Sequence, residues 1–254
     1  MKNFYESKAI KKFLSTSKNP HFEETQMKVD TRILIIGSSG SGKTNALLNY
    51  ISICKNTFQS IHVVYKEKEP LYDLLEDKLG DTGQIFFYND ISKLPKVNDI
   101  QEEKNDQTLV IFDDQICCPE KQLSSIVGEY FIRGRKKKCT MIFIAQSYYK
   151  IPKIIRQQMN YMIILKMSSN RDLKLIFSDF QFGSSIDKIE HIYSDATKQS
   201  LHFFKIDVDQ QDLNKKFSKN FTEFYQIKDE SSDEETSSDE VENYIPKPNK
   251  QKTN

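Results

Sequence analysis

Thr31-Arg32-Ile33-Leu34-Ile35-Ile36 runs directly into Gly37-Ser38-Ser39-Gly40-Ser41-Gly42-Lys43-Thr44. The first stretch is apolar and rich in β-branched residues, with no alternation. Such a run is expected of a strand buried on both faces, as in a parallel sheet. Glycine stops it at once. A helix is expected to follow from Lys43 to about Lys55, with Leu47, Leu48 and Ile51 turned inward. The eight residues Gly37–Thr44 fit G-x-x-x-x-G-K-[ST] completely, in the strand-then-helix context that the motif requires. Its glycines let the backbone wrap closely, so that successive N–H groups face phosphate oxygens. The helix behind adds its positive N-terminal end. Gly37, Ser38, Ser39, Gly40, Ser41, Gly42, Lys43 and Thr44 are therefore expected to hold ATP. Lys43 would reach the β- and γ-phosphates, and the Thr44 hydroxyl would ligate Mg²⁺. A plain Gly/Ser turn is the alternative, and the flanking elements argue against it.

Working outward, strands are expected at Ile61–Tyr65, Gln84–Tyr88, Thr108–Phe112, Thr140–Ala145, Tyr161–Lys166 and, last, Ser200–Val208. Helices are expected at Pro70–Leu79 (Leu71, Leu74, Leu75 and Leu79 inward), from Pro119 through Phe131, and from Asn170 to Phe180. Residues 91–106 read as a polar connection. Strands alternating with helices imply a mainly parallel sheet flanked by helices, because parallel strands need crossovers. The reading is one α/β domain over about 28–226, an N-terminal extension over 1–27 and a disordered acidic tail over 227–254.

Two further strand ends carry chemistry. Leu109-Val110-Ile111-Phe112 ends in Asp113-Asp114. In a parallel sheet the carboxyl ends of strands form the ligand edge, so both acids are expected to face the phosphate loop. Asp113 suits the outer shell of Mg²⁺, and Asp114 suits orienting or deprotonating the attacking water. A surface turn is the bland alternative for an Asp-Asp pair. Gln146 ends the strand Thr140–Ala145, where an amide can bond both the γ-phosphate and the lytic water. An ordinary polar strand end is the competing reading.

Composition sets the boundaries. At 37% hydrophobic residues the chain can still pack a core, because the apolar shortfall is concentrated in the final stretch. No apolar run is long enough to span a bilayer, and the Lys-rich N-terminus lacks the apolar stretch of a secretory signal. The expected setting is inside a cell, and not secreted. The four cysteines (Cys54, Cys117, Cys118 and Cys139) show no zinc spacing and read as buried free thiols. The net charge of +1 hides an asymmetry. Residues 229–242 hold eight acids and no base, which leaves the rest at 37 bases against 28 acids. A basic body with an acidic tail points to a polyanionic partner and a tail that competes with it. Ser231, Ser232, Thr236 and Ser237 each have an acid three residues later, the pattern of an acidophilic kinase site.

The order of these motifs carries a resemblance. The phosphate loop, Asp113-Asp114, Gly128-Glu129-Tyr130-Phe131-Ile132-Arg133-Gly134-Arg135, and Ala145-Gln146-Ser147-Tyr148 with Ile151-Pro152-Lys153-Ile154-Ile155-Arg156 follow one another. The chain resembles the FtsK–HerA superfamily of DNA-pumping ATPases. Within it, the likeness is to the poxvirus-type genome-packaging ATPases of large DNA viruses, virophages and related capsid-encoding transposons. The resemblance implies a P-loop NTPase of RecA-like, FtsK–HerA type that drives double-stranded DNA into a preformed capsid. It also implies capsid proteins as partners and a homo-oligomeric ring, hexameric or pentameric. Finally, it implies an arginine reaching the neighbouring subunit's nucleotide, for which Arg133, Arg135 and Arg156 are the candidates. Two positions depart from the pattern: Lys136 stands where many relatives have His, and Gln158 where relatives often have Asn.

The knot Arg133–Lys138 places five cations in six residues. It is expected to contact DNA phosphates or a neighbouring subunit, against the plainer reading of a solvated helix end. The alternatives to a packaging motor are another pump of the same superfamily, a small-molecule kinase, and a nucleotide-dependent switch. A kinase would want an arginine-rich lid, and none is evident.

Overall fold

A computed structural model of the chain describes residues 18–80, 84–100, 106–180 and 182–227. The first part of the expected extension, residues 1–17, lies outside them. So does nearly all of the acidic tail, with Ser231, Ser232, Thr236 and Ser237. Among the described residues, nine strands form one sheet in the order β3-β2-β4-β5-β1-β6-β7-β8-β9. Strands β1 (Arg32–Ile36), β2 (Ser60–Val64), β3 (Ile85–Tyr88), β4 (Thr108–Asp113), β5 (Cys139–Ala145) and β6 (Tyr161–Ile164) run parallel. Strands β7 (Phe204–Asp207), β8 (Phe217–Lys219) and β9 (Glu223–Phe224) extend the sheet antiparallel. The mainly parallel α/β sheet of a P-loop NTPase is thus present.

Alternation decides which residues pack on which face. Leu34, Ile36, Val110, Phe112, Met141 and Phe143 join one apolar cluster, while Ile33, Ile35, Leu109, Ile111, Ile142 and Ile144 join the other. Both faces are covered, so the central strands read as continuous apolar runs. The second cluster is closed by α2 (Lys43–Ile53) and α3 (Pro70–Leu79), after the short α1 (Phe22–Thr25). The first is closed by a π-helical turn (Leu123–Val127), which follows the exposed α4 (Glu120–Gln122), and by α5 (Gly128–Arg133), with α7 (Asn170–Asp179) and α8 (Ile186–Ala196). Two single-turn helices, α6 (Lys153–Arg156) and α9 (Leu213–Lys216), join the remaining pieces.

Several expectations are corrected. The helix expected from Pro119 through Phe131 is formed and runs on to Arg133, but its stretch Leu123–Val127, just before Gly128, is wound as a π-helix. In α3 the inward face is Tyr72 and Leu75, whereas Leu74 is 46% exposed. The connection 91–106 reads as polar, yet Leu94, Val97 and Ile100 are buried on the first cluster. The final strand is not the one expected at Ser200–Val208, since β8 and β9 follow it. The thiols are all free, but Cys117 is exposed rather than buried.

The packed unit also starts before residue 28. Asn19, Thr25 and Met27 are buried. The Asn19 amide donates to the Met27 carbonyl at 2.8 Å. Lys205 of β7, only 1% exposed, donates to the Thr25 carbonyl at 3.1 Å and to the Phe221 carbonyl at 2.6 Å. Burial lowers its pKa to about 7, and nearby Asp207 opposes that shift.

A candidate nucleotide site at the carboxyl edge of the sheet

Strand β1 sits between β5 and β6, and the chain leaves β1 to form β2 three places away. That crossover makes a switch point, and ligands of open α/β sheets bind there, beyond the carboxyl ends of the strands. The loop Gly37–Gly42 occupies this position. It is pinned on both sides: the Gly37 amide donates to Ala145 O at the end of β5 (3.3 Å), and the Ser38 amide to Lys166 O beyond β6 (3.1 Å). The Ser38 hydroxyl is paired with that of Ser168 (3.0 Å) and accepts from the Ser168 amide (2.8 Å). Gly40 and Gly42 take φ of +72° and +98°, a region open to glycine and strained for other residues. At Gly42 a Cβ would also come within 2.6 Å of Leu201 Cδ2. The Ser41 hydroxyl is buried without a hydrogen-bond partner.

Lys43 and Thr44 open α2 directly behind the loop. Lys43 Nζ donates to the Ser38 carbonyl at 3.0 Å. Burial lowers its pKa, while Asp113, Asp114 and Glu69 pull it back up. Asp113 is the last residue of β4, and Asp114 follows in a left-handed conformation at φ 50°. Burial pushes the Asp113 carboxyl up to about 6; Glu69 and Asp114 add to the rise, and the Tyr72 hydroxyl and Lys43 oppose it. The turn after Asp114 is held by side chains. Gln115 Nε2 donates to Asp113 O (2.7 Å), and the Cys117 thiol donates to Asp114 O (3.2 Å). Gln146 stands exposed at the end of β5, beside the strand that carries Asp113. Lys43, Thr44, Asp113, Asp114 and Gln146 are thus gathered at one edge. Thr44 and Asp113 offer hard oxygen donors of the kind Mg²⁺ takes together with phosphate oxygens.

The three candidate arginines are not equivalent. Arg133 donates to Glu129 (2.6 Å) and Asn98 (3.1 Å). Arg156 is paired with Asp179 at 2.9 Å, its side chain 13% exposed, and lies over the Tyr148 ring at 4.9 Å. Arg135 is exposed, and no hydrogen bond or ion pair engages its side chain among the described residues. It lies in the 3₁₀ turn Gly134–Lys137, where a Cβ on Gly134 would strike Met141 Sδ at 2.7 Å. That turn precedes β5, so it sits at the amino edge of the sheet. A seven-residue strand of about 20 Å separates it from the loop edge.

Some site residues escaped sequence reasoning. Glu69 stands at the N-cap position of α3, and its charge acts on both Lys43 and Asp113. Tyr72 OH donates to Asp113 Oδ2 at 2.6 Å. A cleft of about 510 Å³ adjoins the phosphate loop, lined by Lys166–Ser168 and Thr197–His202. Leu201 in its wall has φ 67°, a strained choice for that residue. Arg171, at the start of α7, covers the exposed Tyr149 ring at 4.5 Å. The only sequence signal for this group was the Glu-Pro start of α3.

Among curated proteins, none matches in sequence. Solved structures do. The genome packaging NTPase B204 from Sulfolobus turreted icosahedral virus 2, in complex with ATP-gammaS, aligns over 76% of this chain and 98% of its own, with 17% identity and a TM-score of 0.56. The same NTPase in complex with AMPPCP aligns with a TM-score of 0.55 and 16% identity, over 75% of this chain and 97% of its own. The DNA-packaging ATPase B204 from Sulfolobus turreted icosahedral virus gives 0.51 and 16% identity, over 76% and 98%. At such identities the likeness speaks for the fold. The poxvirus A32 protein family, by contrast, is matched in sequence over residues 19–199, most of the chain, including the phosphate loop, Asp113-Asp114 and Gln146. By that match this chain belongs to the poxvirus A32 protein family.

Proposed function

We propose that this chain is the ATP-hydrolysing subunit of a motor that drives double-stranded DNA into a preformed capsid. The observation that carries the reading is the site itself. A pinned glycine loop with Lys43 and Thr44 behind it faces Asp113, Asp114 and Gln146 across one sheet edge, in a chain matched to a viral family. Lys43 neutralises the β- and γ-phosphates, and the loop amides bind their oxygens. The cleft along Thr197–His202 takes the base and ribose. The Thr44 hydroxyl would ligate Mg²⁺ and the Asp113 carboxylate would hold its outer shell, and the ion would offset the charge that develops on the phosphates. Asp114 and Gln146 orient the attacking water. The protein works as a homo-oligomeric ring. Arg135 is the best-placed arginine for a neighbour's nucleotide, because Arg133 and Arg156 already hold acidic partners. The knot Arg133–Lys138 gives charge to DNA phosphates or to the subunit contact, as sequence-independent grip requires. The setting is the interior of an infected cell; no helix among the described residues is long and apolar enough to cross a membrane.

The test is ATP hydrolysis by purified protein with and without double-stranded DNA, beside Lys43→Ala. Turnover that rises with DNA and is lost in the variant is the expected result. Turnover indifferent to DNA in assembled rings would refute the motor reading.

A further inference from the structure

The two oxygens of the Asp113 carboxylate have different surroundings. Oδ2 accepts the Tyr72 hydroxyl at 2.6 Å, and both side chains are buried. No other side-chain hydrogen bond reaches the carboxylate among the described residues. Tyr72 belongs to the first turn of α3, where its amide donates to Glu69 O at 2.8 Å. Its ring packs against Tyr65 and Phe87, with centroids 6.5 and 6.1 Å away, so the hydroxyl is carried by an enclosed ring on a regular helix. Carboxylate torsions are broad, and an Asp at a strand end turns easily unless a donor fixes it. Here the charges of Glu69 and Asp114 bear on the same group, and the Tyr72 donor works against them.

We infer that Tyr72 is a positioning residue for ATP hydrolysis: its hydroxyl engages Asp113 Oδ2 and leaves Oδ1 for the side of the site that holds Lys43. Helix α3 thereby belongs to the hydrolytic machinery, through a bond between residues 41 positions apart. The inference rests on the proposed role of Asp113 toward the divalent cation. Preorganised ligands owe their precision to such supporting donors, and loss of one commonly weakens a metal site about tenfold.

Tyr72→Phe removes only the donor and keeps the ring. The experiment measures Mn²⁺ affinity by electron paramagnetic resonance in the presence of ATP-gammaS, for the unaltered protein, Tyr72→Phe and Asp113→Asn. Nucleotide affinity in EDTA is measured alongside. The expected result is Mn²⁺ binding weakened about tenfold in Tyr72→Phe, at least as much in Asp113→Asn, with metal-free nucleotide affinity unchanged in Tyr72→Phe. Unaltered Mn²⁺ affinity in Tyr72→Phe beside a weakened Asp113→Asn overturns the inference and spares the metal reading. Equal loss with and without metal in Tyr72→Phe also overturns it, as a packing defect. Unaltered Mn²⁺ affinity in Asp113→Asn removes the metal reading and the inference together.

Discussion

Asp113→Asn should stabilise the nucleotide-free protein while destroying its activity. Burial raises the Asp113 carboxyl from 3.8 to about 6. The folded state thus binds a proton more readily than the unfolded chain. At pH 8 the ionised, buried carboxylate opposes folding by about 3 kcal/mol, two pKa units at about 1.4 kcal/mol each. Asparagine carries no charge, and its carbonyl oxygen can still accept from the Tyr72 hydroxyl. Its amide hydrogens need new partners, so the expected gain is about 1–2 kcal/mol at pH 8. The sign of the pH dependence follows. As pH falls from about 6 to about 4, the native protein takes up the proton first, and its stability rises toward that of the variant. The assay is urea unfolding in EDTA at pH 8, 6 and 4.5, with the variant's advantage shrinking at each step. Equal stability at pH 8, or an advantage that ignores pH, would refute the argument that burial of this charge is a cost.

Other substitutions separate the remaining roles. Gly42→Ala should lose nucleotide binding and destabilise by about 1–3 kcal/mol, since it combines a positive φ with a clash at Leu201; calorimetric titration with ATP-gammaS checks it. Arg156→Ala should cost about 1–3 kcal/mol of stability by orphaning Asp179, whereas Arg135→Ala should leave the unfolding midpoint in place and reduce DNA-stimulated turnover. Asp114→Asn should abolish turnover with nucleotide affinity retained. Glu69→Gln should weaken turnover less, because Glu69 acts on Lys43 less strongly than either aspartate.

What could be read from the chain depended on how local the signal was. β1, the phosphate loop and α2 are written in consecutive residues, and their strand-loop-helix order is what the fold displays. The carboxyl edge that gathers Asp113 and Gln146 followed from parallel strands alone. The errors came where tertiary packing chose among similar residues. In α3, Leu74 and Tyr72 compete for the core on pattern, and the buried hydroxyl contact to Asp113 goes to Tyr72. Leu94, Val97 and Ile100 are apolar islands in a polar stretch, buried because the loop folds back over β4 and its neighbours. The hairpin β8–β9 is too short to show a period of two. Sorting the three arginines was beyond the sequence, since Asn98 and Asp179 are brought to Arg133 and Arg156 only by folding.

Lys205 ties together the first and last parts of the described chain. One ammonium, out of reach of water, serves a carbonyl in the first short helix and another in the turn between β8 and β9. Detaching either segment leaves that cation short of an acceptor in an apolar setting, so release of one loosens the other. The outer strands and the leading segment should therefore open as one cooperative unit in hydrogen exchange, separate from the sheet centre that carries the nucleotide loop.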